Sequence, residues 1–159
     1  MIEIHKSPTA DTRTCDWSKV TKEQLLQASQ QHIEDVSQGM QFFMRKLQVA
    51  AVCHDNDKVF DVTSFHQDFA TGFKQTTWWD KHRRISRHHL NVADGVPADV
   101  NLVDVIEHIV DCVMAGMARS GSVYELKLSD EVLQAAFRNT VELLKVNVAV
   151  ESDQTPCSP

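Results

Sequence analysis

The stretch TKEQLLQASQQHIEDVSQGMQFFMRKLQVAAV, residues 21–52, sets the fold class of this chain. Apolar residues recur in it at steps of three and four, the period of one helix face, and no proline interrupts them. Thr21 stands where a helix begins, and Gly39 is the weak point of the pattern. The apolar positions are Leu25, Ile33, Val36, Met40, Phe43, Leu47 and Ala50. We predict a helix from residue 21 to about residue 52.

The rest of the chain has the pattern of shorter helices joined by loops. We predict helices over residues 63–73, 76–89, 102–119 and 130–148. Their N-caps are expected at Thr63 or Ser64, at Asn101 and at Ser129. Residues 53–61 break the pattern, 122–128 form a connector, and Gly95 and Pro97 mark residues 90–100 as a loop.

These elements predict an all-α protein with the architecture of a single-domain helical bundle. A chain of 159 residues is long enough for one domain with a buried core. We expect residues 1–20 to be an irregular N-terminal segment and residues 21–150 to form a helical metal-binding domain. Residues 151–159 are expected to be a disordered tail.

The composition argues against several classes of protein. A formal net charge of −6 does not suit a general nucleic-acid binder. No apolar run approaches the roughly 20 residues that span a membrane, and residues 1–16 lack the apolar core of a signal peptide. The cysteines show no CxxC spacing and are interpreted as reduced thiols: Cys15, Cys53, Cys112 and Cys157. We expect a cytoplasmic protein without a membrane partner or a long nucleic-acid partner.

Histidine is the unusual residue in the composition. The chain has eight, and five of them lie between His54 and His89, in a window that also holds many aspartates. Imidazole and carboxylate together suit divalent ions such as Mn²⁺, Fe²⁺, Ni²⁺ and Zn²⁺. The alternative is that these histidines are ordinary surface residues. We favour metal ligands.

The first candidate motif is AAVCHDNDK, residues 50–58. His54 and Asp55 are adjacent at the predicted helix end, which puts an imidazole nitrogen and a carboxylate oxygen beside one point. Lys58 follows three residues after the aspartate. A lone His-Asp pair is common, so this motif indicates a metal site only in combination with other motifs.

The second motif is WWDKHRRISRHHL, residues 78–90. If the whole stretch is helical, His82 and His89 lie about 10.5 Å apart along the axis. That separation is too long for one ion unless the helix ends near His88. The histidines could instead serve two ions, or one ion and a substrate group. Three neighbouring arginines could clamp a phosphate, or form a solvated basic face: Arg83, Arg84 and Arg87.

The third motif is a polar stripe on the predicted helix 102–119. Asp104, His108 and Asp111 follow one another at steps of four and three, with Glu107 beside them. The stripe could face solvent, but it carries no lysine, and we therefore expect Asp111 to face inward. The opposite stripe is expected to be buried: Leu102, Val105, Ile106, Ile109, Val113 and Met117.

In this order the motifs resemble the HD-domain superfamily of metal-dependent phosphohydrolases. Helices of that fold converge a histidine, a His-Asp pair and a distant aspartate on a metal, and members with additional histidines hold two metals. The resemblance implies His54, Asp55 and Asp111 as core ligands. It implies His82, with His88 or His89, as the additional ligands, and one or two divalent ions among Mn, Fe, Co, Ni, Zn and Mg.

The chain is also similar to a family of uncharacterised proteins from bacteriophages and bacteria. The similarity covers about residues 30–148. The matching residues are His32-Ile33 with Val36, His54-Asp55-x-x-Lys58, Arg87-His88-His89, Asn101-Leu102-x-Asp104 with Glu107, and Asp111. A phage-encoded protein of this kind would act in the host cytoplasm.

His32 departs from the superfamily pattern, in which the first histidine belongs to a separate helix. Here His32 and His54 share one predicted helix, which would place them about 33 Å apart. Either the helix bends near Gly39, or His32 is not a ligand, or it serves a site across a subunit interface.

We therefore expect a metal-dependent phosphohydrolase that acts on a nucleotide or a similar small phosphate ester. Asp55 would bridge ions or orient water, and three cations would neutralise the phosphate: Lys58, Arg83 and Arg87. Nucleotides are favoured because the HD superfamily is rich in nucleotidases. The alternatives are an HD-type di-iron oxygenase and a non-enzymatic, homo-oligomeric binding protein that uses the long helix as its interface.

Overall fold

The computed structural model describes residues 1–7, 9, 11–74, 77–90 and 95–151. The chain is mostly helical, which confirms the all-α prediction in its coarse form, and it adds one short pair of parallel strands. The elements are β1 (Ile2–His5), a single-turn 3-10 helix (Trp17–Lys19), α1 (Lys22–Cys53), α2 (Asn56–Phe60), α3 (Val62–Ala70), α4 (Trp78–Ile85), α5 (Leu102–Ser120), α6 (Asp130–Lys145) and β2 (Val148–Glu151).

The chain divides into two compact units. The first unit comprises Met1–Met44 with Leu143–Pro159, and the second comprises Arg45–Glu142. All the candidate site residues except His32 belong to the second unit.

The strand pair lies in the first unit and differs from two expectations. β1 occupies part of the predicted irregular segment 1–20, and it pairs in parallel with β2, with Ile2 opposite Val148. The predicted helix 130–148 instead ends at Lys145. The reason is the run VNVAV, residues 146–150, whose alternating β-branched side chains favour a strand. Glu151 belongs to β2, and the rest of the predicted tail lies outside the described residues.

Helix α1 begins and ends close to the predicted positions. The Thr21 hydroxyl accepts from the Gln24 N–H, and the Gln24 side chain accepts from the Thr21 N–H, which is a reciprocal cap. The helix continues through Gly39 to Cys53 without a break. Apolar periodicity therefore identified the helix correctly. It did not determine burial, because Ile33 and Met40 are exposed.

The core of the second unit lies between the segment before α5 and helix α6. Its buried members are Leu90, Val100, Val105 and Ala136. Two side chains of α6 fix the start of α5: the Thr140 hydroxyl accepts from the Leu102 N–H at 2.8 Å, and the Asn139 amide donates to the Val100 carbonyl at 2.9 Å. These bonds set the position from which α5 reaches the candidate site.

The described part of the segment between α1 and α5 contains three short helices. Residues 53–61 were expected to break the helical pattern but include α2, and the predicted helix 63–73 is α3. The predicted helix 76–89 is wrong at its C-terminal end, because α4 ends at Ile85 and the chain then turns. Residues 75, 76 and 91–94 lie outside the described residues.

Helix α5 has the predicted bounds to within one residue. Asn101 and Asp104 form a capping box, and Gly121 ends the helix in the left-handed region, at φ 72°. The face that is buried differs from the expectation. Asp104 and His108 are buried, whereas three residues of the expected apolar stripe are exposed: Ile106, Ile109 and Met117.

Two further expectations concern the membrane and the cysteines. Among the helices of the described ranges, none combines the length and the apolar character needed to cross a bilayer. Cys15, Cys53 and Cys112 are free thiols, as predicted, and Cys157 lies outside the described residues.

Candidate metal centre

Four side chains of the second unit converge on one point: Asp55, His82, His88 and His89. Each offers one ligand atom, and these atoms all lie within 4.8 Å of one another. Asp55 comes from the turn between α1 and α2, His82 from α4, and the other two from the turn that follows α4. His82 and His88 are buried. We call these residues the three-histidine group.

The spacing of the three-histidine group suits one metal ion. Oδ1 of Asp55 lies 3.4 Å from Nε2 of His82 and 3.5 Å from Nε2 of His88, and the Nε2 atoms of His82 and His89 lie 2.9 Å apart. Two ligand atoms that are each about 2.1 Å from one ion lie about 3.0–3.4 Å apart at octahedral to tetrahedral angles. The observed distances, 2.9, 3.4 and 3.5 Å, lie within 0.1 Å of that range.

Two atoms of the group are also left without a hydrogen bond. Among the described residues, Oδ1 of Asp55 and Nε2 of His88 are buried and have no hydrogen-bond partner. Burying an unpaired carboxylate oxygen and an unpaired imidazole nitrogen is unfavourable. A divalent cation would satisfy both atoms, so these residues fit a metal ion.

The early end of α4 makes this arrangement possible. A helix continued to residue 89 would carry His89 about two turns away from His82. Because the helix ends at Ile85, the chain returns and brings the two imidazoles into contact. The sequence left open which of His88 and His89 would join the site, and the structure places both in the group.

Carboxylates outside the group orient its imidazoles. Nδ1 of His82 lies 2.8 Å from Asp57, and Nδ1 of His88 lies 3.2 Å from Glu107. Because a carboxylate only accepts, both Nδ1 atoms carry the proton, which leaves the Nε2 lone pairs free for a metal. Asp57 and Glu107 were not among the predicted site residues. The available signals were the second aspartate of HDND and the position of Glu107 one turn before Asp111.

His54 and Asp111 lie at the other side of Asp55. Glu107 accepts from Nδ1 of His54 at 2.9 Å. The other ring nitrogen, Nε2, lies 3.6 Å from Oδ2 of Asp55 and 3.7 Å from Oδ1 of Asp111. Helix α5 therefore brings Asp111 beside the His-Asp pair. His54, His88 and Glu107 themselves form a second set of potential ligands within 4.8 Å.

The charges of the site favour a cation. Burial lowers the pKa of His82, and burial together with the neighbouring His88 and His82 lowers the pKa of His89 to about 3. Burial opposes the ionisation of Asp55, but Lys58 and the nearby histidines hold its pKa below the ordinary value. Glu107 behaves likewise, because His88 and His54 outweigh its burial. Near pH 7 the neutral imidazoles of His82 and His89 therefore face the ionised carboxylate of Asp55.

The predicted phosphate-binding cations are placed differently from one another. Lys58 forms an ion pair with Oδ2 of Asp55, directly beside the candidate centre. Arg87 makes a bidentate pair with Asp104, at 2.7 and 2.8 Å, and a further bond to Asp99. Arg83 pairs with Asp80 on α4, and Arg84 is exposed. Of these cations, Lys58 is the one whose ion pair is with a residue of the three-histidine group.

The turn that carries His88 and His89 is held by α5. The Arg87–Asp104 pair fixes one side of the turn to the first turn of α5. One helical turn further on, Nδ1 of His108 donates to the His88 carbonyl at 2.8 Å. Behind the turn, a side chain at Gly95 would come within 2.6 Å of the His89 carbonyl. The backbone around the two histidines is therefore closely packed.

The backbone of Asp55 is also unusual. Its φ of 53° and ψ of 20° lie in the left-handed region, between the end of α1 and the start of α2. Aspartate and asparagine adopt this region more readily than most residues with a side chain. The conformation turns the chain sharply at the position that supplies the central carboxylate.

A polar cavity of about 240 Å³ lies over these residues. It is bordered by His54, Asp55, Asp57, Ser86, Arg87, His88 and Glu107, among others. His32 is exposed on α1 in the first unit and belongs to neither set of potential ligands.

Comparison of the chain with protein-family models, with curated proteins and with solved structures gave no match. The function is therefore inferred from the geometry of the site.

Proposed function

We propose that the protein is a metal-dependent phosphohydrolase with an HD-like helical fold that acts on a nucleotide or a similar small phosphate ester. The observation that carries the proposal is the position of Asp55. One of its carboxylate oxygens faces the imidazoles of His82 and His88, and His89 belongs to the same group. The other oxygen lies beside Lys58 and His54.

The ligand roles follow from these two oxygens. Oδ1 of Asp55 would hold one divalent ion together with His82, His88 and His89. His54 and Asp111, with Oδ2 of Asp55, are the candidate ligands of a second ion. The chemistry supplied by bound divalent ions in such sites is polarisation of a phosphoryl oxygen and a lowered pKa of water.

The other residues of the site bind charge and hold protons. Lys58, which pairs with Oδ2 of Asp55, would neutralise charge on a phosphate bound beside the candidate centre. Glu107 accepts the Nδ1 protons of His54 and His88, and Asp57 accepts that of His82, so each imidazole keeps its Nε2 lone pair towards the centre. Arg87 stabilises the turn that carries His88, because its guanidinium forms ion pairs with Asp104 and Asp99.

A second candidate function is an HD-type di-iron oxygenase. It is favoured by one observation, the three imidazoles in one group, because nitrogen-rich sites suit transition metals better than Mg²⁺. Iron in the purified protein, with an optical band that changes on exposure to oxygen, would distinguish this function from hydrolysis.

The proposal is tested by elemental analysis of purified protein and by a panel of nucleotides with Mn²⁺, Co²⁺ and Mg²⁺, monitored by phosphate release. We expect Lys58→Ala to retain metal and to lower kcat/KM at least about tenfold, because the phosphate loses its cation. Lys127→Ala is the matched control, since Lys127 pairs on the surface with Glu125. Release of no phosphate from any ester by metal-loaded protein would contradict the proposal.

A further inference from the structure

A larger cavity, of about 530 Å³, adjoins the candidate centre in the second unit. Its polar lining is confined to His54, Glu107 and Asp111, which belong to the site itself. The rest of its lining is aliphatic, from the last turns of α1 and from α5: Leu47, Ala50, Ala51, Ile106, Val110 and Met114. It shares His54 and Glu107 with the polar cavity.

The lining offers almost no hydrogen bonds to a ligand. Away from the last turn of α1, the backbone groups of α1 and α5 bond within their helices, and the aliphatic side chains have no donor or acceptor. Glu107 and Asp111 only accept when ionised, and Nδ1 of His54 already donates to Glu107. Among the described residues that line the cavity there is no lysine or arginine.

These properties exclude two occupants. A nucleobase has several acceptors on its edge, and these would lose their bonds to water without replacement, because the described lining offers no free donor. A phosphate group would meet carboxylates and no cation. An aliphatic group loses nothing on entering, and the volume falls in the usual range of small-molecule pockets, roughly 300–1,000 Å³.

The apolar side of the cavity is also exposed. Ile106, Val110 and Met114 follow one another at steps of four residues on α5, and Val110 and Met114 are 53% and 65% exposed. A contiguous apolar surface of this kind next to a polar site is typical of a ligand-binding groove. Its continuity with His54 and Glu107 connects this surface to the candidate centre.

We propose that this cavity binds the organic part of the substrate, and that the substrate is the phosphate monoester of an aliphatic alcohol. The inference rests on the proposed function and narrows it, because it favours an aliphatic ester over a nucleotide. In the hydrolysis, a water oxygen bonds to phosphorus, the bond from phosphorus to the alkoxyl oxygen breaks, and a proton from water passes to the leaving alcohol.

The test uses ethyl, butyl, hexyl and octyl phosphate, with AMP for comparison, and Mn²⁺-loaded protein. We expect kcat/KM to rise by up to about fourfold for each added methylene until the cavity is filled. Calorimetric titration with the non-hydrolysable n-alkylphosphonates should show the same trend in Kd. Turnover without dependence on chain length would overturn the cavity assignment and leave the proposed function standing.

Absence of turnover for every ester and for AMP would overturn the proposed function instead. The phosphonate titration then still tests whether the cavity binds aliphatic chains. A Kd that falls with chain length supports an aliphatic site, and a constant Kd overturns that assignment.

A matched pair of variants locates the effect. Met114→Gln, in the cavity, should flatten the dependence of kcat/KM on chain length, with the largest loss of kcat/KM for octyl phosphate. Met117→Gln, on the same helix but outside the lining, should leave the whole series unchanged. If Met114→Gln changed only the sedimentation behaviour of the protein, the groove would be an interface between two copies, and the substrate assignment would be wrong.

Discussion

The two faces of α5 contradict the usual rule for an amphipathic helix. Asp104 and His108, on the polar face, are each only 3% exposed. Ile106, Val110 and Met114, on the apolar face, are exposed. Burial on this helix therefore follows the availability of partners more than hydrophobicity.

The buried polar side chains on the polar face of α5 have hydrogen-bond partners. Asp104 accepts from Arg87 and from the backbone N–H of Asn101, and His108 donates to the His88 carbonyl. Glu107 accepts from two imidazoles. Burying paired polar groups costs little compared with leaving them unpaired. The polar face can therefore support the metal ligands, while the apolar face remains free for a ligand.

The largest effect should come from removing the carboxylate at the centre of the polar network. Asp55→Asn keeps the shape and tolerates the left-handed backbone, but it loses the negative charge on both sides of the site. We expect metal affinity to fall more than about 100-fold, beyond the range for residues that only orient ligands. Competition with a chelator, followed by elemental analysis, measures it. Asp35→Asn, whose parent carboxylate bonds Gln31 in the first unit, should bind metal like the unmodified protein.

The next effect tests the link between α5 and the histidine turn. Asp104→Ala removes the Asp104 half of the capping box and the partner of Arg87 together. We expect a loss of about 2–3 kcal/mol in the free energy of unfolding, with the half-exposed position of Arg87 limiting the cost. Urea denaturation provides the measurement. Asp99→Ala removes only an exposed partner of Arg87 and should cost less than about 1 kcal/mol. Equal losses in the two variants would argue against the special role of Asp104.

Glu107→Gln tests how much the orientation of the imidazoles by Glu107 contributes to metal binding. The amide keeps one acceptor oxygen but loses the charge that fixes His54 and His88. We expect metal affinity to fall about 10–100-fold, and less than for Asp55→Asn. A full metal complement with unchanged affinity would show that Glu107 does not position the imidazoles.

The smallest effect is expected on the apolar face. Ile109→Ser removes an exposed side chain that does not line the cavity of about 530 Å³. The free energy of unfolding should change by less than about 0.5 kcal/mol, as for other surface positions. A loss of several kcal/mol in the same urea assay would mean that a partner covers this face in solution.

The sequence predicted the helices well where local signals are strong. The cap at Asn101, the cap at Thr21 and the left-handed Gly121 mark helix ends within the chain itself, and the bounds of α1 and α5 were close. The run VNVAV carried a local strand signal that was overlooked. The pairing itself was missed because Ile2–His5 and Val148–Glu151 lie far apart in the sequence.

The site was predictable in its residue types and less so in its geometry. The His-Asp pair and the histidines after it pointed to a metal. The end of α4 at Ile85 depends on tertiary bonds between Arg87 and α5, which no helical period reports. The orienting carboxylates were missed for the same reason, because Asp57 and His82 are 25 residues apart.

The left-handed backbone of Asp55 restricts which amino acids could ever occupy this position. Glycine and asparagine would accept φ 53° readily, but neither carries a negative charge. Glutamate carries the charge, yet it is less suited to the left-handed region, and its longer side chain would move both oxygens by about one bond length. Aspartate alone meets both demands, so even the exchange of one acidic residue for the other is expected to be harmful here.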